Sequence, residues 1–296
     1  MSSKRLYGIV PALITPLTEN LQLDVDSLER LIEHQLDGGV HGIFAAGFTG
    51  EGAALERSLL LDLTRHCVRI IGGRVPLCVG VLEAGTRRTI ETAHMLTDAG
   101  ADFLSTTVPY TPPTPSQNDI IDHFAYLAQH TQLPWMVYGN SSCLPNITPD
   151  TFRALAQIDG IAAIKDTRPD FEGHLKNLMA VRGTGITLLC GGEYLVGPGL
   201  LYGADGNISG ATNLFPKLFV DLYNDAQSGN VPAVKDAAER ITILHGMTAQ
   251  SGACWLSAFK YAGSRLGLMQ PYCLNPSQPL TPEQMRVVDK ILEQFR

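Results

Sequence analysis

No stretch of this 296-residue chain reaches roughly 18 uninterrupted apolar residues, so no membrane span is expected. The first residues, Met1 to Tyr7, hold no apolar h-region, and no secretory leader is expected there. Positive charge is scattered. No run of Lys and Arg exceeds two residues and the net charge is -7, which argues against a nucleic-acid surface. The six cysteines, at 67, 78, 143, 190, 254 and 273, form no Cys-x-x-Cys. Cys78 and Cys190 fall inside apolar runs, so these residues read as small core side chains in a reducing cytosol, not as a disulfide frame or a metal site. The eight histidines show neither His-x-x-x-His nor His-Glu-x-x-His spacing, and no catalytic zinc is expected. Gly-x-Ser-x-Gly and Gly-Lys-[Ser/Thr] are both missing, which disfavours a nucleophile-elbow hydrolase and a Walker loop. No cofactor is called for.

What is present is an ordinary enzyme composition, 45% hydrophobic and 17% charged, with length enough for one large α/β unit. One pattern repeats to about residue 228: an apolar run, a polar or Gly/Pro turn, then a helical segment. The runs are Tyr7–Leu13, Gly42–Ala46, Val75–Val81, Ala101–Val108, Pro134–Tyr138, Gly160–Lys165, Thr187–Cys190 and Gly206–Ser209. Helical segments lie between them, such as Val25–Leu36, where Leu28, Leu31, Ile32 and Leu36 keep the helical period. Eight such units predict an α/β fold, a (β/α)8 TIM barrel, over residues 1–228. An open nucleotide-binding sheet would want glycines after its first strand, and Ile14-Thr-Pro-Leu17 has none. Residues 229–296 carry no strand signal. Pro232–His245, Ala253–Leu266 and Pro282–Phe295 read as three helices of an extension packed on the barrel, with no Ser/Gly linker before them.

Chemistry in such a barrel gathers at the C-terminal ends of its strands. Lys165 stands there, after Ile161-Ala-Ala-Ile164. Burial disfavours an ammonium, and a neutral amine is a nucleophile toward carbonyls. The segment therefore reads either as a Schiff-base lysine or as a strand end whose ammonium snorkels to water or pairs with Asp166. The remaining lysines lie at the terminus or in helical contexts. Lys260 is the one other with apolar neighbours, and helical spacing is expected to let it reach water. Tyr138 closes the strand-5 run, either as a core tyrosine or as a phenol aimed at the same pocket as a general acid/base. Gly47-Phe-Thr-Gly-Glu-Gly52 follows strand 2. Its glycines free consecutive N–H groups for a carboxylate or phosphate, although a plain tight turn fits equally. Asp122-His123 and His174 read as surface helix positions.

The set Gly47-Phe-Thr-Gly-Glu51, Tyr138, Ile164-Lys-Asp-Thr167 and Gly203-Ala-Asp-Gly-Asn-Ile-Ser209 resembles the dihydrodipicolinate synthase / N-acetylneuraminate lyase family over nearly the whole chain. That resemblance implies a cofactor-free (β/α)8 barrel, a homotetramer acting on pyruvate or another 2-oxo acid, without nucleic acid or membrane partners. It implies Lys165 as the Schiff-base residue and Tyr138 as the acid/base phenol. Thr49, with the backbone of Phe48 and Gly50, would hold the pyruvyl carboxylate, and Gly191 and Ile208 would line the pyruvyl group. Tyr110, in the Pro-Tyr after strand 4, joins the substrate-binding set. The departures concern the substrate. Phe48 replaces the family's relay hydroxyl. Thr111 stands where the synthase branch has a second tyrosine, and Cys143 where that branch has an arginine. Thr167 is similar to the hydroxyl-bearing position of the lyase and 2-keto-3-deoxy sugar-acid aldolase branches, and Glu193 is placed to meet a polyol tail. The expected activity is a class I aldolase or lyase on a 2-keto-3-deoxy sugar acid. Dehydratase or deaminase action on a related 2-oxo acid, dihydrodipicolinate synthase, N-acetylneuraminate lyase and a pyruvate-binding protein with little turnover stand as alternatives.

Overall fold

The computed structural model describes residues 4–109, 115–140, 143 and 145–295. Eight parallel strands follow one another around a single sheet: β1 Gly8–Ile9, β2 Ile43–Ala45, β3 Leu77–Gly80, β4 Phe103–Thr106, β5 Trp135–Asn140, β6 Ile161–Thr167, β7 Thr187–Cys190 and β8 Gly206–Asn207. From β2 to β8 each strand pairs with the next in sequence, and β1 pairs with β8. The ring closes between β1 and β2 through a parallel bridge from Ala12 to Phe44. This is a (β/α)8 barrel, wrapped by α1 Val25–Asp37, α2 Arg57–Ile71, α3 Thr86–Asp98, α4 Gln117–His130, α5 Pro149–Leu155, α6 Phe171–Val181, α7 Val196–Leu201 and α8 Pro216–Ser228. No helix among the described residues is long and apolar enough to cross a membrane.

The alternation of a strand's side chains splits the core in two. Val10, Ala12, Phe44, Cys78, Phe103, Met136, Ala163 and Leu189 fill the barrel interior. Ile43, Val79, Leu104, Val137, Ile164 and Leu188 face outward against the helices. On β6 the inward series runs Ala163, Lys165, Thr167, and on β5 it runs Met136, Tyr138, Asn140. That period of two aims Lys165 and Tyr138 into the barrel mouth, and Asp166 away from it.

Four details differ from the sequence-based expectation. Strands β5 and β6 continue two residues past Tyr138 and Lys165, because their ladder persists through Asn140 and Thr167. The C-terminal segment holds four helices, not three: α9 Val231–His245, α10 Met247–Ser251, α11 Trp255–Arg265 and α12 Pro282–Leu292. The additional α10 has only five residues, too short to show a period, and ends at Gly252 in the left-handed region. His123 and His174 are buried, not surface residues. Each lies on its helix's inward stripe, with Ile120, Phe124 and Leu127 on α4 and with Asn177, Leu178 and Val181 on α6. Lys260 does not reach water at all. It is fully buried and ion-paired to Glu51.

Candidate active site at the mouth of the barrel

A cavity of 620 Å³ opens at the C-terminal ends of the strands. Its walls include Phe48, Thr49, Tyr138, Lys165, Thr167, Gly191, Glu193 and Ile208, which were all expected from sequence. Lys165 and Tyr138 are cross-strand neighbours in the parallel ladder. Parallel partners project to the same side, and the Lys165 Nζ lies 4.1 Å from the centre of the Tyr138 ring and 5.3 Å from that of Phe44. Lys165 is only 4% exposed. Asp166, its sequence neighbour, is not its partner. On the opposite face of β6, Asp166 accepts from Arg168 Nε at 3.0 Å and meets His174 Nδ1 at 2.7 Å. The snorkelling and Asp166-paired readings of Lys165 therefore do not describe this lysine.

The Gly47–Gly52 turn folds tightly over the end of β2. The Gly52 N–H donates to the Gly47 carbonyl at 2.9 Å and the Glu51 N–H to the Phe48 carbonyl at 3.1 Å. Among the described residues, the N–H groups of Thr49 and Gly50 have no backbone acceptor. A Cβ on Gly52 would overlap the Ala46 carbonyl, so only glycine fits there. Thr49 reaches the cavity. Gly50 supports the turn from below, where its carbonyl accepts from Thr15 Oγ1 at 2.6 Å, and it does not line the cavity. Phe48 packs edge-on against Tyr138, ring centres 5.6 Å apart.

Across the mouth, Gly191 leaves room for Thr167, whose Oγ1 a side chain at 191 would strike. That hydroxyl is buried and has no hydrogen-bond partner. Glu193 directs Oε1 at two backbone N–H groups, those of Gly210 at 3.0 Å and Ala211 at 3.3 Å. One of its oxygens thus fixes the turn after β8, and Oε2 faces His245 Nδ1 at 3.6 Å. Ile208 is fully buried in the wall. Tyr110 and Thr111 lie outside the described residues.

Asn140, Tyr194, His245, Trp255 and Phe259 also line the cavity and were not anticipated. Asn140 was within reach of sequence reasoning, since it lies two residues beyond Tyr138 on the inward series of β5. His245 ends α9, and Trp255 and Phe259 belong to α11. Nothing in a barrel's strand–helix repeat announces that later helices will form part of the wall. Among the described residues no cluster of side chains with metal-ligand geometry occurs.

The description of the dihydrodipicolinate synthetase family matches residues 5–295. The 4-hydroxy-tetrahydrodipicolinate synthase of Xanthomonas campestris pv. campestris is 35% identical over 244 residues, covering 81% of this chain and 79% of that protein. The enzyme of the same name from Neisseria meningitidis serogroup B is 31% identical over 278 residues, covering 93% and 94%. Among solved structures, dihydrodipicolinate synthase from Bacteroides thetaiotaomicron superposes with a TM-score of 0.92 at 29% identity, over 98% of both chains. A prophage protein of the dihydrodipicolinic acid synthase family from E. coli, solved in complex with pyruvate, gives 0.92 at 27%, again over 98% of both. With fold and sequence in agreement from end to end, the chain belongs to the dihydrodipicolinate synthetase family, and so to the lyases that work through a lysine Schiff base.

Proposed function

We propose that Lys165 carries the Schiff base and that the substrate is a 2-keto-3-deoxy sugar acid, cleaved to pyruvate and an aldehyde. The neutral amine of Lys165 adds to the C2 ketone, and the Tyr138 phenol gives its proton to the departing hydroxyl, so that water leaves and a protonated iminium and a phenolate remain. Tyr138, as the phenolate, takes the proton of the C4 hydroxyl while the C3–C4 bond breaks. The bonding pair flows into the iminium and forms an enamine. Protonation at C3 and hydrolysis then return pyruvate and the free lysine. Thr49 and the unengaged N–H groups beside it hold the carboxylate, which fixes the face of the ketone shown to the amine.

The observation that carries the choice of substrate is the buried, unpartnered Oγ1 of Thr167 on the cavity wall. A buried hydroxyl without a partner is costly, and a substrate hydroxyl supplies one. Cys143, also on the wall, brings no guanidinium for the second carboxylate that a synthase substrate would carry. Lys165 is the sole ammonium or guanidinium group among the described lining residues. Phe48 supports a second reading. It seats a ring against Tyr138 where the family's relay hydroxyl would stand, which favours a dehydratase or deaminase step from the same iminium. A homotetramer is the assembly that accompanies the family reading, and sedimentation at micromolar concentration tests it.

Incubation with pyruvate and sodium borohydride, followed by intact mass measurement, tests the chemistry. The wild type is expected to gain one reduced pyruvyl group and Lys165→Ala none. An unmodified wild type would sink the proposal. A panel of 2-oxo sugar acids then separates the readings, since the aldolase alone releases pyruvate with an aldehyde. Trapping without turnover on any of them would leave a pyruvate-binding protein.

A further inference from the structure

Lys260 is a lysine with no exposed surface, 209 residues from the glutamate it pairs with. Its Nζ donates to Glu51 Oε1 at 2.8 Å and to the Tyr272 carbonyl at 2.6 Å. Glu51 Oε2 in turn accepts from the Leu274 N–H at 2.9 Å. The pair joins α11 and the segment after it to the turn that holds Thr49. Glu51 sits at φ +58, in the left-handed region that a residue with a side chain seldom adopts. Its own carbonyl accepts the Ala54 and Leu55 N–H groups, so the turn and the approach to α2 both hinge on this residue.

We propose that Lys260 is a positioning residue for the pyruvyl carboxylate site, acting through Glu51. The inference rests on the reading that Thr49 and its neighbouring N–H groups hold that carboxylate. A buried ion pair is a poor way to stabilise a fold, because desolvating both charges offsets most of their attraction. What it supplies is a fixed geometry. Here that geometry is imposed two residues from Thr49, on backbone that would otherwise leave its left-handed conformation. The same helix sets Phe259 beside Gly210, which also faces the Thr49 methyl, so α11 braces the carboxylate site from two sides. Released from Lys260, the turn loses the alignment of its N–H groups, while Lys165 on β6 keeps its place.

The test is the pyruvate dependence of borohydride trapping in the full-length protein, for wild type, Lys260→Met and Glu51→Gln. Positioning predicts that Lys260→Met raises the pyruvate concentration for half-maximal trapping about tenfold or more, with the plateau rate within about threefold. Glu51→Gln keeps the shape of the side chain and should show the same split to a lesser degree, so the question survives if Lys260→Met does not fold. A lowered melting temperature with unchanged half-saturation in the folded variants would overturn the proposal and leave the pair as scaffold only. A wild type that traps no pyruvate would instead overturn the reading beneath it.

Discussion

The Thr167 hydroxyl is buried with nothing to bond to, on the same cavity wall as Lys165, the residue proposed to carry the Schiff base. Thr167→Val keeps the side chain's volume and removes that hydroxyl. If the hydroxyl meets the substrate beyond C3, kcat/KM for the sugar acid should fall about tenfold, with a smaller change in pyruvate half-saturation. Stability should hold or rise slightly, since an unsatisfied buried group is gone. Steady-state kinetics beside a urea titration reads both. Equal losses for sugar acid and pyruvate would show Thr167 acting on the whole site, and the hydroxyl would then say nothing about the substrate. At this scale the sequence singles out a residue that is anomalous in its own neighbourhood, and the structure buries Lys165 in the cavity wall. Lys165 follows the apolar run Ile161–Ile164, and an ammonium there demands an explanation. Lys260 was misread for the converse reason. Its helix offers a solvated side, and only the fold brings Glu51 to it from 209 residues away.

Between elements, His123 ties α4 to the start of α3, its Nδ1 lying 2.8 Å from Thr86 Oγ1. Burial pushes its pKa down to about 4. The folded protein therefore keeps the ring neutral, while the unfolded chain binds a proton below its ordinary value near 6.5. The stabilisation is complete above pH 6.5 and is lost as pH falls toward 4, at about 1.4 kcal/mol per pH unit. Between pH 6.5 and 5 the wild type should lose about 2 kcal/mol from this group. Urea titrations at both values, with His123→Phe as comparison, measure it. A variant as acid-sensitive as the wild type would assign the loss to other groups. The surface reading of His123 fails because it leaves a polar residue off the inward stripe that His123 shares with Ile120, Phe124 and Leu127. The strands were legible as apolar runs bounded by turns. Their ends were not, because Tyr138-Gly-Asn140 and Lys165-Asp-Thr167 carry polar side chains in strand conformation to reach the cavity. Polar residues lining the cavity blur the hydrophobic pattern at the places where these strands end.

For the whole molecule, the open question is whether residues 229–296 fold with the barrel or after it. The apolar core is continuous: Ile241, Leu244, Met247, Phe259, Val288 and Ile291 from the extension belong to the same cluster as Ile14, Leu31 and Ile164 from the barrel. A shared core and a buried ion pair across the junction should make unfolding one cooperative event. The chain has two tryptophans, and they divide the question well. Trp135 is buried in β5, whereas Trp255 stands at the start of α11 on the cavity rim. In Trp255→Phe, fluorescence reports the barrel alone, and in Trp135→Phe it reports the extension alone. Within each variant, the fluorescence midpoint in urea should coincide with that of far-UV circular dichroism. If the Trp255 signal in Trp135→Phe is lost at lower urea than the helical signal, the extension opens as a separate unit. The wall formed by His245, Trp255 and Phe259, together with the hold of Lys260 on the Thr49 turn, would then come apart before the barrel does. Partial denaturation would in that case abolish turnover of the proposed sugar acid while the strands remained paired. Coincident midpoints would mean that the active site persists for as long as the fold does.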